Sequence, residues 1–215
     1  MTVTQHERRV AVPNTQDLRF VRTEAAIRSA FMELLAGGPV GSITASAVCR
    51  RAGVSRNAFY LHHSGVTALY EAMVDELLAD VRAECMASAE RVLVTGKVDG
   101  ELVPSGMAVL EKHEDLLRAL LPSDDGSLTK CLAEGIADAY VEAALLFGER
   151  GGGLEHRLRS AYSAWALLGL LQRWFELTDR PIQDLEPFVT QFQAGGQADA
   201  TRFLTQAKIA NESLA

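Results

Sequence analysis

Residues 43–62 read ITASAVCRRAGVSRNAFYLH, and the fold turns on how that stretch is parsed. Ala47, Val48 and Ala52 recur at helical spacing, which predicts a helix over about 44–52. Gly53 is placed to end it, because a residue without a Cβ enters the left-handed conformation without a clash. Val54 then plugs the angle between two helices. Ser55 offers a side-chain oxygen to the free N–H groups of a second helix over about 56–62. Two short helices joined by such a turn form a helix–turn–helix, whose second helix enters the major groove of DNA while the first crosses the backbone.

The residue types on the second helix suit that role. Arg56 is suited to a bidentate contact with guanine or to holding a phosphate, and Asn57 to pairing with adenine. Tyr60 and His62, one turn further along, are in reach of phosphates or thymine methyls. Thr44 and Ser46 open the first helix, where hydroxyls and a helix N-terminus meet phosphate oxygens. Ser55 completes the set at the start of the recognition helix. Phe59 reads as core. His62 and His63 do not read as a metal pair, since neighbours on a helix point in different directions and no third ligand sits nearby.

Working outward, RTEAAIRSAFMELL (22–35) supplies Thr23 as an expected N-cap and an apolar stripe of Ile27, Ala30, Phe31, Leu34 and Leu35. This helix, about 20–36, ends at Gly37-Gly38-Pro39. Downstream, Leu69, Met73, Leu77 and Val81 mark a long helix over about 66–94, ending near Gly96. Three helices leading into a long fourth, with AGVSRNAFYLHH (52–63) as turn and recognition helix, resemble the tetracycline-repressor (TetR) family of transcription factors. Arg56 and the Phe59-Tyr60 pair are similar to a subgroup that includes a dihydroxyacetone-kinase coactivator. AWALLGLLQRWFE (164–176) resembles that subgroup's dimerisation helix. The resemblance covers about 19–81 and 158–192. It implies a homodimeric regulator, a repressor by expectation, that binds a palindromic double-stranded operator and answers to a small-molecule effector. The alternative it leaves open is a coregulator that keeps the fold and acts by binding another protein, with weak or no DNA binding.

The chain departs from the family pattern at four positions. Asn57 replaces a small residue and Ala58 a threonine or serine. His63 and Val66 stand where the family carries an aromatic residue and a phosphate-anchoring lysine. Loss of that lysine removes one charge contact with DNA.

Charge supports the reading once it is divided. The 215 residues carry a net −7, yet residues 1–63 hold eight Lys/Arg against four acids, leaving the rest at −11. A basic N-terminal unit on an acidic body is the asymmetry expected where one face meets phosphates. The N-terminus lacks the apolar segment of a signal peptide. The longest uncharged apolar run, between Arg159 and Arg173, is too short to span a bilayer. Cys49, Cys85 and Cys131, odd in number and scattered, suit a reducing cytoplasm, with a buried structural thiol expected at each.

The expected organisation is a flexible tail (1–17), a helix–turn–helix domain (18–65) and a helical ligand-binding and dimerisation domain (66–215). In the last, helices are expected over 102–121, broken around His113 and closed by Pro122, and over 127–147. A break follows at Gly151-Gly152-Gly153, then a helix over 154–177. Another begins near Pro181 with Leu185, Phe188, Val189 and Phe192 on one face. A weaker helix over 199–209 lies beyond Gly195-Gly196. No strand-like alternation and no repeat occurs, so the fold class is all-α.

The helix over 154–177 is apolar on two faces. Leu158, Tyr162, Trp165, Gly169 and Gln172 form one stripe, and Leu167, Leu170, Leu171 and Trp174 another. Such a helix is buried on two sides, against its own core and against a second copy. The candidate dimer seam is Leu158, Tyr162, Gly169, Trp174 and Phe188. Candidate ligand-lining residues are Met107, Tyr140, Phe147 and Trp165, because apolar sites form between bundle helices. No cofactor and no metal is implied. His113-Glu114-Asp115 is the densest polar cluster outside the N-terminal unit, but it lacks metal spacing or an adjacent nucleophile, and an enzyme is not expected.

Overall fold

The computed structural model describes residues 18–95, 102–146 and 153–191, and every regular element among them is helical. In order these are α1 (Leu18–Leu35), α2 (Ala45–Ala52), α3 (Arg56–His62), α4 (Val66–Thr95), α5 (Leu102–Lys112), α6 (Glu114–Leu120), α7 (Ser127–Leu145) and α8 (Leu154–Leu177). Single 3-10 turns lie at Val40–Ser42, Leu121–Ser123 and Ile182–Leu185, and α-helix resumes over 186–191. The chain divides into two compact units between Met73 and Val74, inside α4. The tail over 1–17, Gly96, Phe147, Gly151, Gly152, Phe192 and the expected helix over 199–209 lie outside the described residues.

In the first unit, α1, α2 and α3 pack on one another around Ile27, Ala30, Phe31, Val48, Cys49 and Phe59, all buried. The expected cap at Thr23 is corrected. α1 begins at Leu18, and the Thr23 hydroxyl donates to the Arg19 carbonyl at 2.8 Å from inside the helix. The extra turn is held by a tertiary contact, described below, that a helical-periodicity reading cannot see.

In the second unit α7 and α8 form the largest pairing, burying Leu132, Ala133, Ile136 and Ala139 against Ala164, Leu168 and Leu171. α7 approaches α4 closely at Gly135, where a Cβ would stand 2.7 Å from a Leu78 methyl. Arg82 of α4 and Glu142 of α7 pair at 2.5 Å nearby. The break expected around His113 is present between α5 and α6, and its ring nitrogen Nε2 lies 2.7 Å from Asp80 of α4. Gly126, at φ 96°, turns the chain into α7. The first N–H groups of that helix are satisfied from outside it: Asp125 accepts from Ser127 N–H (3.0 Å), and Asp124 accepts from Leu128 N–H (3.0 Å), Thr129 N–H (2.8 Å) and the Thr129 hydroxyl (2.7 Å).

The turn after α8 is held by side chains of α6. Arg118 donates to the carbonyls of Thr178 (3.0 Å) and Arg180 (2.6 Å), pairs with Glu114 (2.6 Å) and lies over the Phe175 ring at 4.5 Å. Glu114 in turn accepts from Ile182 N–H at 3.2 Å, and the Trp174 indole donates to the Arg180 carbonyl at 3.2 Å. The cluster that stood out as His113-Glu114-Asp115 thus holds three structural bonds of the fold, one from His113 and two from Glu114. Of the cysteines, Cys49 is buried as expected, Cys85 is half-buried and Cys131 is exposed, so burial does not extend to all three.

Candidate nucleic-acid interface

The helix–turn–helix is built as its residue types dictate. Thr44 caps α2 by accepting from Ala47 N–H at 3.2 Å. Gly53 takes φ 67°, ψ 27°, and the Val54 N–H closes the turn on the Cys49 carbonyl at 3.0 Å. Ser55 then caps α3 by accepting from Ala58 N–H at 3.1 Å. Each hydroxyl spends a lone pair on its cap and keeps its proton for another acceptor, such as a phosphate oxygen.

Of the residues expected to face DNA, Thr44, Ser46, Ser55, Arg56, Asn57 and Tyr60 are all exposed, and α3 brings Arg56, Asn57 and Tyr60 onto one face. Arg50 and Arg51 are exposed as well, but Arg51 is committed to an ion pair with Glu33. Phe59 is fully buried, as a core residue should be, and its ring meets Tyr60 edge-on at 5.4 Å.

His62 does not join the exposed face. Its side chain is only 4% accessible, and its ring stacks on Phe20 of α1 with centroids 3.8 Å apart. Its Nδ1 lies 2.9 Å from the Glu24 carboxylate but off the line a hydrogen bond requires, so proximity and not alignment defines that contact. His63 also turns toward Glu24, its Nε2 at 3.0 Å from Oε2. Two neighbouring histidines reach one carboxylate because His63 has left the helix, at φ −137°, ψ 137°. Arg28 completes the cluster by donating to Glu24 at 2.6 Å. Partial burial alone would raise the Glu24 carboxyl, but the Arg28 hydrogen bond and the neighbouring His63 and Arg28 charges outweigh it and hold the group below its ordinary value. The far end of α3 is thereby tied to α1.

Sequence reasoning missed Leu61. It stands on the exposed face of α3 with 68% of its surface accessible, while Tyr60 keeps 50%. Seven residues span two turns, too few for periodicity to separate position 61 from 62. Val66, the first residue of α4, is half-buried.

In the second unit, Met107 of α5 is buried. Tyr140 of α7 is half-buried, and burial, with Cys85 nearby, pushes its phenol up to about 12. Trp165 stands elsewhere: it is half-exposed on an outer stripe of α8 with Leu154, Leu158, Tyr162 and Gly169. Leu158 keeps 62% and Tyr162 72% of their surfaces accessible, opposite the buried Ser160, Ala164, Leu168, Leu171 and Phe175. Trp174 is half-buried beside the exposed Phe188, ring centroids 6.1 Å apart. Among the described residues, no helix is long and apolar enough to cross a membrane.

No protein-family model matches the chain, and no curated protein is similar to it in sequence. Solved structures do match. A dihydroxyacetone kinase operon activator, DhaS, is similar at 12% identity and a TM-score of 0.57, with 82% of this chain and 96% of that one covered. The fatty acid degradation regulator FadR from Bacillus halodurans is similar at 17% identity and a TM-score of 0.57, covering 81% and 95%. At these identities the likeness is one of fold. The all-α architecture implied by the resemblance to the TetR family, a three-helix unit ahead of a helical body, is the fold of this chain.

Proposed function

We propose that the chain is a homodimeric transcription regulator, of the repressing kind the resemblance implies, that binds a palindromic DNA operator and responds to a small-molecule effector. The observation that carries the reading is the division of α3 into two sides. One is locked into the three-helix unit through Phe59, His62 and the Glu24 cluster, and the other presents Arg56, Asn57 and Tyr60 with no competing charge on the helix. A rigidly held helix with outward hydrogen-bonding side chains suits direct readout of base edges. Thr44, Ser46 and Ser55 supply phosphate contacts that set the register.

Assembly rests on the outer stripe of α8. Leu158, Tyr162 and Gly169 leave an apolar face exposed in a single chain, and Trp174 with the exposed Phe188 extends the seam from the other stripe of α8. A self-complementary face buries it against a second copy, and two copies of α3 then suit an operator with two-fold symmetry. Trp165 belongs with this seam. The effector site is assigned to the second unit, with Met107 and Tyr140 in its wall. Tyr140, protonated at any physiological pH, serves there as a hydrogen-bond donor.

Selection of bound fragments from a random duplex pool tests the reading. A palindromic consensus should emerge, bound with strong salt dependence. Arg56→Ala should weaken binding to it by about 1–3 kcal/mol. Failure to enrich any sequence, or equal binding by Arg56→Ala, overturns it.

A further inference from the structure

The exposed face of α3 changes character along its length. Its first turn carries Arg56 and Asn57, which form directional hydrogen bonds, and its second carries Tyr60 and Leu61. A lone exposed leucine on a protein surface needs no explanation. This one is different in its company: it sits one turn from Asn57, four residues on along the helix, and follows Tyr60 directly, on a helix that buries Phe59 completely and turns the neighbouring His62 ring inward.

We propose that Leu61, beside the Tyr60 ring, is a specificity-determining contact that reads the C5-methyl group of a pyrimidine in the major groove. The inference rests on the DNA-binding reading above and adds to it the chemistry of one base position. Leucine has no donor or acceptor, so it gains nothing from the polar base edges, and pressing it against one leaves that edge desolvated without a partner. The apolar group that the major groove offers is the thymine methyl. A 5-methylcytosine presents a methyl at the same ring position. Leu61 therefore selects for the methyl, while Arg56 and Asn57 select by hydrogen bonds elsewhere in the half-site.

The test uses the full-length protein and the duplex selected from a random pool. Each thymine is replaced in turn by uracil, which keeps the base pair and removes only the methyl. At one thymine in each half-site, uracil should weaken wild-type binding about fourfold, the worth of one buried methyl group. Leu61→Ala should bind the thymine and uracil duplexes equally, at the weaker level. Its salt dependence should be unchanged, because no phosphate contact is lost, and so should its thermal midpoint, because the side chain is outside the core. In a third duplex that position carries cytosine or 5-methylcytosine opposite guanine. Recovery with 5-methylcytosine alone shows that the methyl suffices, and no recovery shows that thymine is the source read. Uracil tolerated at every thymine, or the same uracil penalty in Leu61→Ala as in wild type, overturns the proposal while leaving DNA binding intact. If no duplex is selected at all, the DNA-binding reading fails and this inference falls with it.

Discussion

The rings of Phe20 and His62 stack with centroids 3.8 Å apart and planes 25° from parallel, joining the first turns of α1 to the last residue of α3. Phe20→Ala should destabilise the first unit by about 1–2 kcal/mol, the stacking energy of such a pair with some lost burial. It should also loosen the end of α3 that carries Tyr60 and Leu61. Thermal melting and binding to the selected duplex, measured together, check this. Unchanged binding despite a lowered midpoint would show that the α1 contact stabilises the unit without orienting α3.

Asp124 gives a pH-dependent expectation. Partial burial pushes its carboxyl up, but the Thr129 hydroxyl and the N–H groups of Thr129, Leu128 and Gly126 outweigh burial and hold it below its ordinary 3.8. A carboxylate depressed in the folded state contributes stability that is fully present above its unfolded value and lost as pH falls through the lower folded one. Asp124→Ala should therefore cost about 1–2 kcal/mol at neutral pH. The gap to wild type should narrow only in acid below the ordinary carboxylate range. Denaturant titrations across that range would reveal a gap independent of pH if the charge has no part in the capping.

Gly169 lies on the outer stripe of α8, and a Cβ there would meet nothing within 4 Å in a single chain. Gly169→Arg should leave the fold of each chain intact and yield monomer, since an isologous seam would face two guanidinium groups toward each other. Sedimentation of wild type and variant at micromolar concentration decides the matter. A wild type that is already monomeric would remove the dimer from the reading.

Val66 is half-buried at the start of α4, where the family resemblance places a phosphate-anchoring lysine. Val66→Lys should steepen the salt dependence of DNA binding by about one unit of slope and tighten specific and non-specific complexes together. A falling thermal midpoint with weaker binding would instead mark Val66 as a packing residue. An unchanged slope with unchanged stability would place the start of α4 away from the DNA backbone.

Local chemistry was legible where it is self-contained. Gly53, Ser55 and the bounds of α3 follow from one residue's backbone freedom and another's capping oxygen, so the sequence alone predicts them. Thr23 was misread because its competitor for the helix start is a ring contact with His62, dozens of residues away. The exchange of His62 for Leu61 on the outer face has the same origin: Phe20 and Glu24 draw the histidine inward, and nothing within α3 announces it. The body was legible as helices but not as a site. Trp165 read as ligand wall, although it shares a stripe with Leu158 and Tyr162, and only its exposure beside them assigns it to an outer face.

The turn after α8 draws its shape from backbone carbonyls at Thr178 and Arg180 gripped by a side chain of α6, not from its own side chains alone. Its tolerance to change should accordingly be lopsided. Asp179, exposed between the two gripped carbonyls, should accept almost any replacement in a saturation mutagenesis screen. A single inserted residue at the same point should be rejected, because it moves one carbonyl out of reach of Arg118 while the other stays. Such a segment would look variable in composition yet fixed in length, the mark of a spacer whose measure is kept by a neighbouring helix.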